Sequence, residues 1–223
     1  MVTPTRVRNP HKRNNFYLVS LIFFTMYSSR PNIVLGFHGC DESIRDSVIS
    51  GKTKLKPSNN NWDWLGAGIY FWEYNPTRAD DFAAESKEKW GKIEKPASLG
   101  AVIYLGHCLD LLDKKNLDLV KKARNTFVKA LKVSGLTNRN VGKGVNRIIR
   151  ELDCWVINTI HENNKTSGLK PFDSVRAVFI EGKPLYPTAG FFDKTHIQIC
   201  VTNPNSIKGY FLPLSEDPIF SKV

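Results

Sequence analysis

The chain has 223 residues, 41% apolar and 24% charged, which suits one sizeable folded core and excludes a disordered or low-complexity protein. Its 32 basic and 21 acidic side chains leave a formal charge of +11, so an anionic partner is expected. The four cysteines, Cys40, Cys108, Cys154 and Cys200, form no Cys-x-x-Cys pair and sit among apolar neighbours, which speaks against a disulfide framework or zinc site and for reduced, buried thiols in a cytoplasmic protein.

Residues 1–31 read as an N-terminal extension. Basic residues through Arg13 precede a mostly apolar stretch from Phe16 to Met26 that is too short to span a membrane. Three readings stand for it: a start assigned too early, with Met26 the true first residue; a peripheral element; or a secretory leader, although no Ala-x-Ala-like cleavage site follows. Residues 32–223 read as a single domain.

Within it, residues 32–37 form an apolar strand that delivers His38 and Gly39 to its end. Asp41 caps a short helix that stops at Gly51. A polar loop over 54–65 carries Asn59, Asn60 and Asn61 ahead of Trp62 and Trp64. Residues 68–72 make the second strand, and 77–90 a helix entered through Pro76 with Ala79, Phe82 and Ala83 on its apolar face. A turn at 95–98 leads to a third strand over 99–105.

A helical insertion then occupies about 107–166. Its first helix sets Leu117, Val120, Phe127, Val128 and Leu131 on one face and Lys121, Lys122, Lys129 and Lys132 on the other. A glycine- and asparagine-rich break over 134–143 precedes a second amphipathic helix over 145–161. Strands at 175–180 and 196–201, the latter bearing Gln198, complete an α+β fold with a mixed sheet. Residues 114–150 hold eleven basic side chains against one acid, Asp118. So local an imbalance favours nucleic acid as partner, with an acidic protein second.

Four segments carry a resemblance. They are Leu35-Gly36-Phe37-His38-Gly39, Gly66-Ala67-Gly68-Ile69-Tyr70-Phe71, Ala101-Val102-Ile103-Tyr104-Leu105-Gly106 and Gln198-Ile199-Cys200-Val201-Thr202-Asn203-Pro204. In this order they resemble the poly(ADP-ribose) polymerase-like branch of the ADP-ribosyltransferase fold, in its compact toxin or phage-defence form. The resemblance implies a mixed or antiparallel split sheet, NAD as substrate and no metal; the five histidines also lack ligand spacing. It assigns an adenosine-ribose contact to His38, main-chain contacts with the nicotinamide carboxamide to Gly39, ring stacking to Tyr70 and an opposite wall to Phe82.

Gln198 departs from the family pattern, where a glutamate stabilises the ribosyl cation. A neutral glutamine keeps an acceptor and loses the charge. Polymer elongation is then not expected, and single transfer needs another acid, with Glu73 first and Glu181, Asp193 and Asp173 after it. The expected activity is mono-ADP-ribosylation of RNA or DNA, Trp62 and Trp64 stacking an unpaired base and the lysines gripping phosphate. Alternatives are a protein-directed transferase whose basic helices bind an acidic target or a neutralising antitoxin, a catalytically silent NAD- or RNA-binding module, and, last, a relative of the RNA 2′-phosphotransferases.

Overall fold

The first strand is longer than its apolar run because a distant partner extends it. The computed structural model describes residues 32–134, 140–143, 146–215 and 218–219, so the expectations for residues 1–31 lie outside the described residues. Strand β1 (Ile33–Asp41) pairs antiparallel with β3 (Pro96–Tyr104) over nine residues, from Ile33 opposite Tyr104 to Asp41 opposite Pro96. His38 and Gly39 therefore sit inside β1, and most of the turn expected at 95–98 is strand. Helix α1 (Glu42–Ile49) starts where expected, with the Asp41 carboxylate accepting from the Ser43 N–H at its N-cap and from the Glu94 and Lys95 N–H groups.

Strand β2 (Ile69–Glu73) leads into helix α2 (Pro76–Trp90), whose N-cap Asn75 accepts from the Arg78 N–H and whose end is turned by Gly91 at φ 60°. A short strand β4 (Cys108–Asp110), not foreseen, precedes helix α3 (Lys114–Ser134). The helix expected over 145–161 is divided in two. Residues 146–150 belong to a hairpin of β5 (Asn140–Lys143) and β6 (Asn146–Arg150), and only then does helix α4 (Glu151–Thr166) begin. The Ile148-Ile149 pair satisfies strand and helix periodicity alike, and pairing with β5 decides it. Strands β7 (Ser174–Phe179), β8 (His196–Val201) and β9 (Ile207–Phe211) close the chain.

The main sheet has seven strands in the order β4-β7-β8-β2-β1-β3-β9. The β4–β7 pair is parallel and the others antiparallel, so the fold is α+β with a mixed sheet plus the small hairpin. Its weakest seam is central. β2 pairs with β8 over four residues, but β1 and β2 pair only at Gly36 with Glu73 and Phe37 with Trp72.

One face of the sheet buries Phe71, Leu99, Ile103 and Ile199 in the largest core. The other packs Val175 and Cys200 against Leu65 and the α4 residues Val156, Ile157 and Ile160. A smaller cluster of Phe37, Trp72 and Ala79 joins α2 to the sheet. Removing the fully buried Phe71 side chain would cost about 3–5 kcal/mol. All four cysteines are free, three buried and Cys108 half-buried. Among the described residues no helix is long and apolar enough to cross a membrane.

Candidate functional site

The central seam brings His38 and Tyr70 together. Phe37 pairs with Trp72, so the next residue, His38, turns to the opposite face, where its ring lies 5.8 Å from that of Phe71. Its Nδ1 stands 2.8 Å from the Tyr70 carbonyl oxygen. A carbonyl only accepts, so Nδ1 carries the proton. Burial lowers the ring's pKa more than this bond raises it, leaving Nε2 as a neutral acceptor. Gly39 meets α2: a Cβ there would lie 2.3 Å from the Ala79 carbonyl oxygen, so the strand–helix approach requires glycine.

Tyr70 is pinned at its hydroxyl, which donates to the Gly66 carbonyl at 2.6 Å and accepts from the Leu65 N–H at 2.9 Å. Burial raises its pKa far above the phenol range. The hydroxyl thus fastens the inner end of the asparagine loop to β2. Gly66, at φ 80°, also has no room for a Cβ beside the Asn158 side chain. Phe82 packs on Trp72 with ring centroids 4.9 Å apart and belongs to the small third core.

Gln198 is half-buried in β8, opposite Trp72 on one side and Ala177 on the other. Register puts Tyr70, Trp72, Cys200 and Gln198 on one face, away from the His38 ring. Aromatic groups line that face. Phe179 sits between Trp64, 4.7 Å away, and His196, 5.9 Å away, and Trp72 lies 6.3 Å beyond His196. The Arg78 guanidinium is 5.8 Å from the Trp72 ring centre and donates to Glu181 at 3.1 Å. His196 Nδ1 contacts the Lys194 carbonyl at 2.7 Å and stands 3.8 Å from the same Glu181 carboxylate. Trp72 Nε1, Arg78 Nε and Nη1, and His196 Nε2 are buried with no hydrogen-bond partner among the described residues. These groups are buried beneath the Gln198 face, and Arg78 Nη1 stands 3.9 Å from the Asp81 carboxylate.

The four candidate acids separate by environment. Glu73, adjacent to Trp72 but on the opposite face, is held by two hydrogen bonds from Arg176, at 2.5 and 2.7 Å, while Arg176 also reaches Asp110 at 3.1 Å. All three side chains are nearly buried, and this arrangement keeps Arg176 charged. Asp173 accepts from the His107 N–H and from Asn203, which ties the end of β8 to the strand before it. Asp193 accepts from the Lys183 N–H in the link between β7 and β8. Only Glu181 has its partners, Arg78 and His196, on the Gln198 face.

The two tryptophans also divide. Trp64 is packed between Phe179 and the Arg150 guanidinium, 4.2 Å from its ring centre, and so anchors the loop. Trp62 is half-exposed. On α3, Lys121, Lys122 and Lys129 are exposed, while the Lys132 side chain lies outside the described residues. Val120, Ala123 and Phe127 form the buried face of α3, and Leu117, expected there, is exposed.

Arg176, Asp110, Arg78 and His196 escaped sequence reasoning. Arg176 left one sign: an arginine inside Ser-Val-Arg-Ala-Val-Phe needs a buried carboxylate, but only the folded sheet says which.

No family model matches the chain, and no solved structure matches it. It is similar to an uncharacterized protein of Methanocaldococcus jannaschii, 27% identical over 193 residues, covering 77% of this chain and 83% of that one.

Proposed function

We propose that the protein is an NAD-dependent mono-ADP-ribosyltransferase that modifies nucleic acid in the cytoplasm, in the manner of a toxin or phage-defence effector. One observation carries the reading. β1 and β2 pair at two positions and through a Tyr74 N–H to Leu35 carbonyl bond, the His38 ring holds the Tyr70 carbonyl on the other side of these pairs, and Gln198 lies one strand away on β8, on the face opposite the His38 ring. The resemblance implies a sheet split near its motif residues; here the sheet is continuous, its weakest seam lies beside Tyr70, and the His38 ring faces away from the Tyr70 and Gln198 side chains.

NAD is the substrate. The adenosine-ribose contact expected of His38 does not fit this site, because its ring faces away from Gln198; its Nδ1–H instead holds the Tyr70 carbonyl and so orients the strand that bears Tyr70. The bond between nicotinamide nitrogen and ribose breaks, and nicotinamide leaves with its electron pair. A base nitrogen of the acceptor then forms the new bond at the same ribose carbon and releases a proton. The Gln198 amide orients the ribose, and Glu181, which contacts His196 two residues along β8, supplies negative charge on that face. Glu73 is excluded from that role by its bond to Arg176, which makes it part of the framework.

A second reading is a silent NAD- or RNA-binding module, favoured by the neutral Gln198. A protein-directed transferase would use the basic α3 on an acidic target. Nicotinamide release from NAD separates the first two. Gln198→Ala should lower the rate about a hundredfold, the effect of removing one preorganised group. An inert parent in which Gln198→Glu alone creates cleavage would establish the silent module.

A further inference from the structure

A groove of about 350 Å³ lies between the asparagine loop and α4, lined by Asn59, Asn61, Trp155, Asn158, Thr159 and Glu162. It is preformed. The Asn60 amide donates to Ser58 and Asp63, its carbonyl accepts from the Cys154 thiol, and Asn158 accepts from the Ala67 N–H at 3.0 Å. Trp155 is stacked on Phe127 of α3 with centroids 5.6 Å apart and 46% of its surface exposed, so its indole keeps an open face. The Glu162 carboxylate repels phosphate and accepts from N–H groups. This chemistry suits a flat ring with donors on its edge, and the volume is at the lower end of the range for small-ligand sites. Arg124, one turn before Phe127, is the exposed basic side chain on the side of the stack, and Lys121, Lys122 and Lys129 are exposed farther round α3.

We propose that this groove holds one unpaired base of a single-stranded nucleic acid, stacked on the open face of Trp155, with α3 neutralising the adjoining phosphates. The proposal rests on nucleic acid being the acceptor, and assigns what recognises it. The stack Phe127–Trp155 gains a third member, the base, and the amides of Asn59 and Asn61 meet its edge. Guanine, which turns N1–H and the 2-amino group the same way, fits a carboxylate better than uracil with its single N–H. The groove also lies on the face that bears Gln198: Asn158 holds Ala67, and the adjoining Gly66 accepts from the Tyr70 hydroxyl.

The test needs no NAD. Fluorescence anisotropy is measured with short labelled single-stranded RNA and DNA, some containing guanine and some only uracil or thymine, and with the matching duplexes. The parent should prefer single strands, and its tryptophan fluorescence should fall on binding. Trp155→Ala should weaken single-strand binding about tenfold with the salt slope unchanged. Lys121, Lys122 and Lys129 all changed to Gln should flatten the salt slope while quenching persists. Glu162→Gln, at an exposed position that folding tolerates, should reduce the preference for guanine. Equal binding of duplex and single strand, or parental affinity in Trp155→Ala and Trp155→Phe, would overturn the groove. In that event, a salt slope still lost in the lysine variant would leave nucleic acid as the acceptor. A parent that binds no nucleic acid at all would overturn both the groove and that acceptor.

Discussion

Trp72 and Glu73 are neighbours in β2, yet they face opposite sides of the sheet and meet opposite chemistry. Glu73 enters a closed arrangement: Arg176 and Asp110 satisfy one another and the carboxylate, as a buried charge demands. Trp72 faces one with open hydrogen-bonding positions: its own N–H, Arg78 Nε and a His196 nitrogen are buried without a hydrogen-bond partner among the described residues, Arg78 Nη1 stands 3.9 Å from Asp81, and Gln198 is half-exposed. Saturated polar contacts define a framework, and unsaturated ones leave hydrogen-bonding capacity unused. The acid nearest in sequence to Tyr70 therefore belongs to the scaffold, and the acid whose partners lie on the Gln198 face, Glu181, comes from more than a hundred residues farther along the chain.

The largest effect should follow from breaking the closed side. Glu73→Ala leaves Arg176 without its bidentate partner and should destabilise by about 3–5 kcal/mol, measured by urea unfolding. Glu73→Gln should be milder, with NAD turnover per folded molecule near the parent's. A collapse of turnover without loss of stability would make Glu73 chemical after all.

The open side should respond the other way. Glu181→Gln should lower nicotinamide release by about a hundredfold, roughly 2.7 kcal/mol of activation free energy, with a smaller change in the melting temperature. A parental rate would remove Glu181 from the site.

Between the two lies Tyr70, whose hydroxyl bonds face the loop. Tyr70→Phe should cost about 1–3 kcal/mol in stability, because the buried Leu65 N–H loses the hydroxyl that accepts from it and the Gly66 carbonyl keeps only the weak Cys200 thiol donor. Tyr70→Ala would remove loop anchor and ring together, so the phenylalanine variant is the cleaner probe of the stacking role.

The smallest effect is one of pH. Burial lowers the pKa of His196, and His38 and His161 shift the same way. The unfolded chain then binds protons more readily, so stability is full above about pH 6.5 and falls as the pH drops below it. For the fully enclosed His196 the slope is at most about 1.4 kcal/mol per pH unit. Melting temperatures at pH 7.5 and 5.5 should show the decline, and His196→Phe should lessen it.

The sequence disclosed the elements that local pattern controls. β8 and α2 appear within a residue of their expected bounds, and Asp41 caps α1 as its side chain dictates. What it concealed is non-local. β4 and β9 are short strands recognisable only beside β7 and β3. The β5–β6 hairpin hid in a run that also fits a helix. In the candidate site, the motif positions of His38, Tyr70 and Gln198 were readable, but the alternation that turns the His38 ring away from the other two side chains was not. Glu73 looked available because Arg176 is more than a hundred residues away in sequence, and only sheet register joins them.

The central claim is that NAD is consumed to modify nucleic acid. Purified protein should be incubated with NAD labelled in its adenylate half and with RNA, DNA and protein pools held separately. The account predicts label in one nucleic-acid pool, lost with Gln198→Ala, and little in protein. Label confined to the protein pool would reverse the acceptor, and absence of both label and nicotinamide release would contradict the transferase itself.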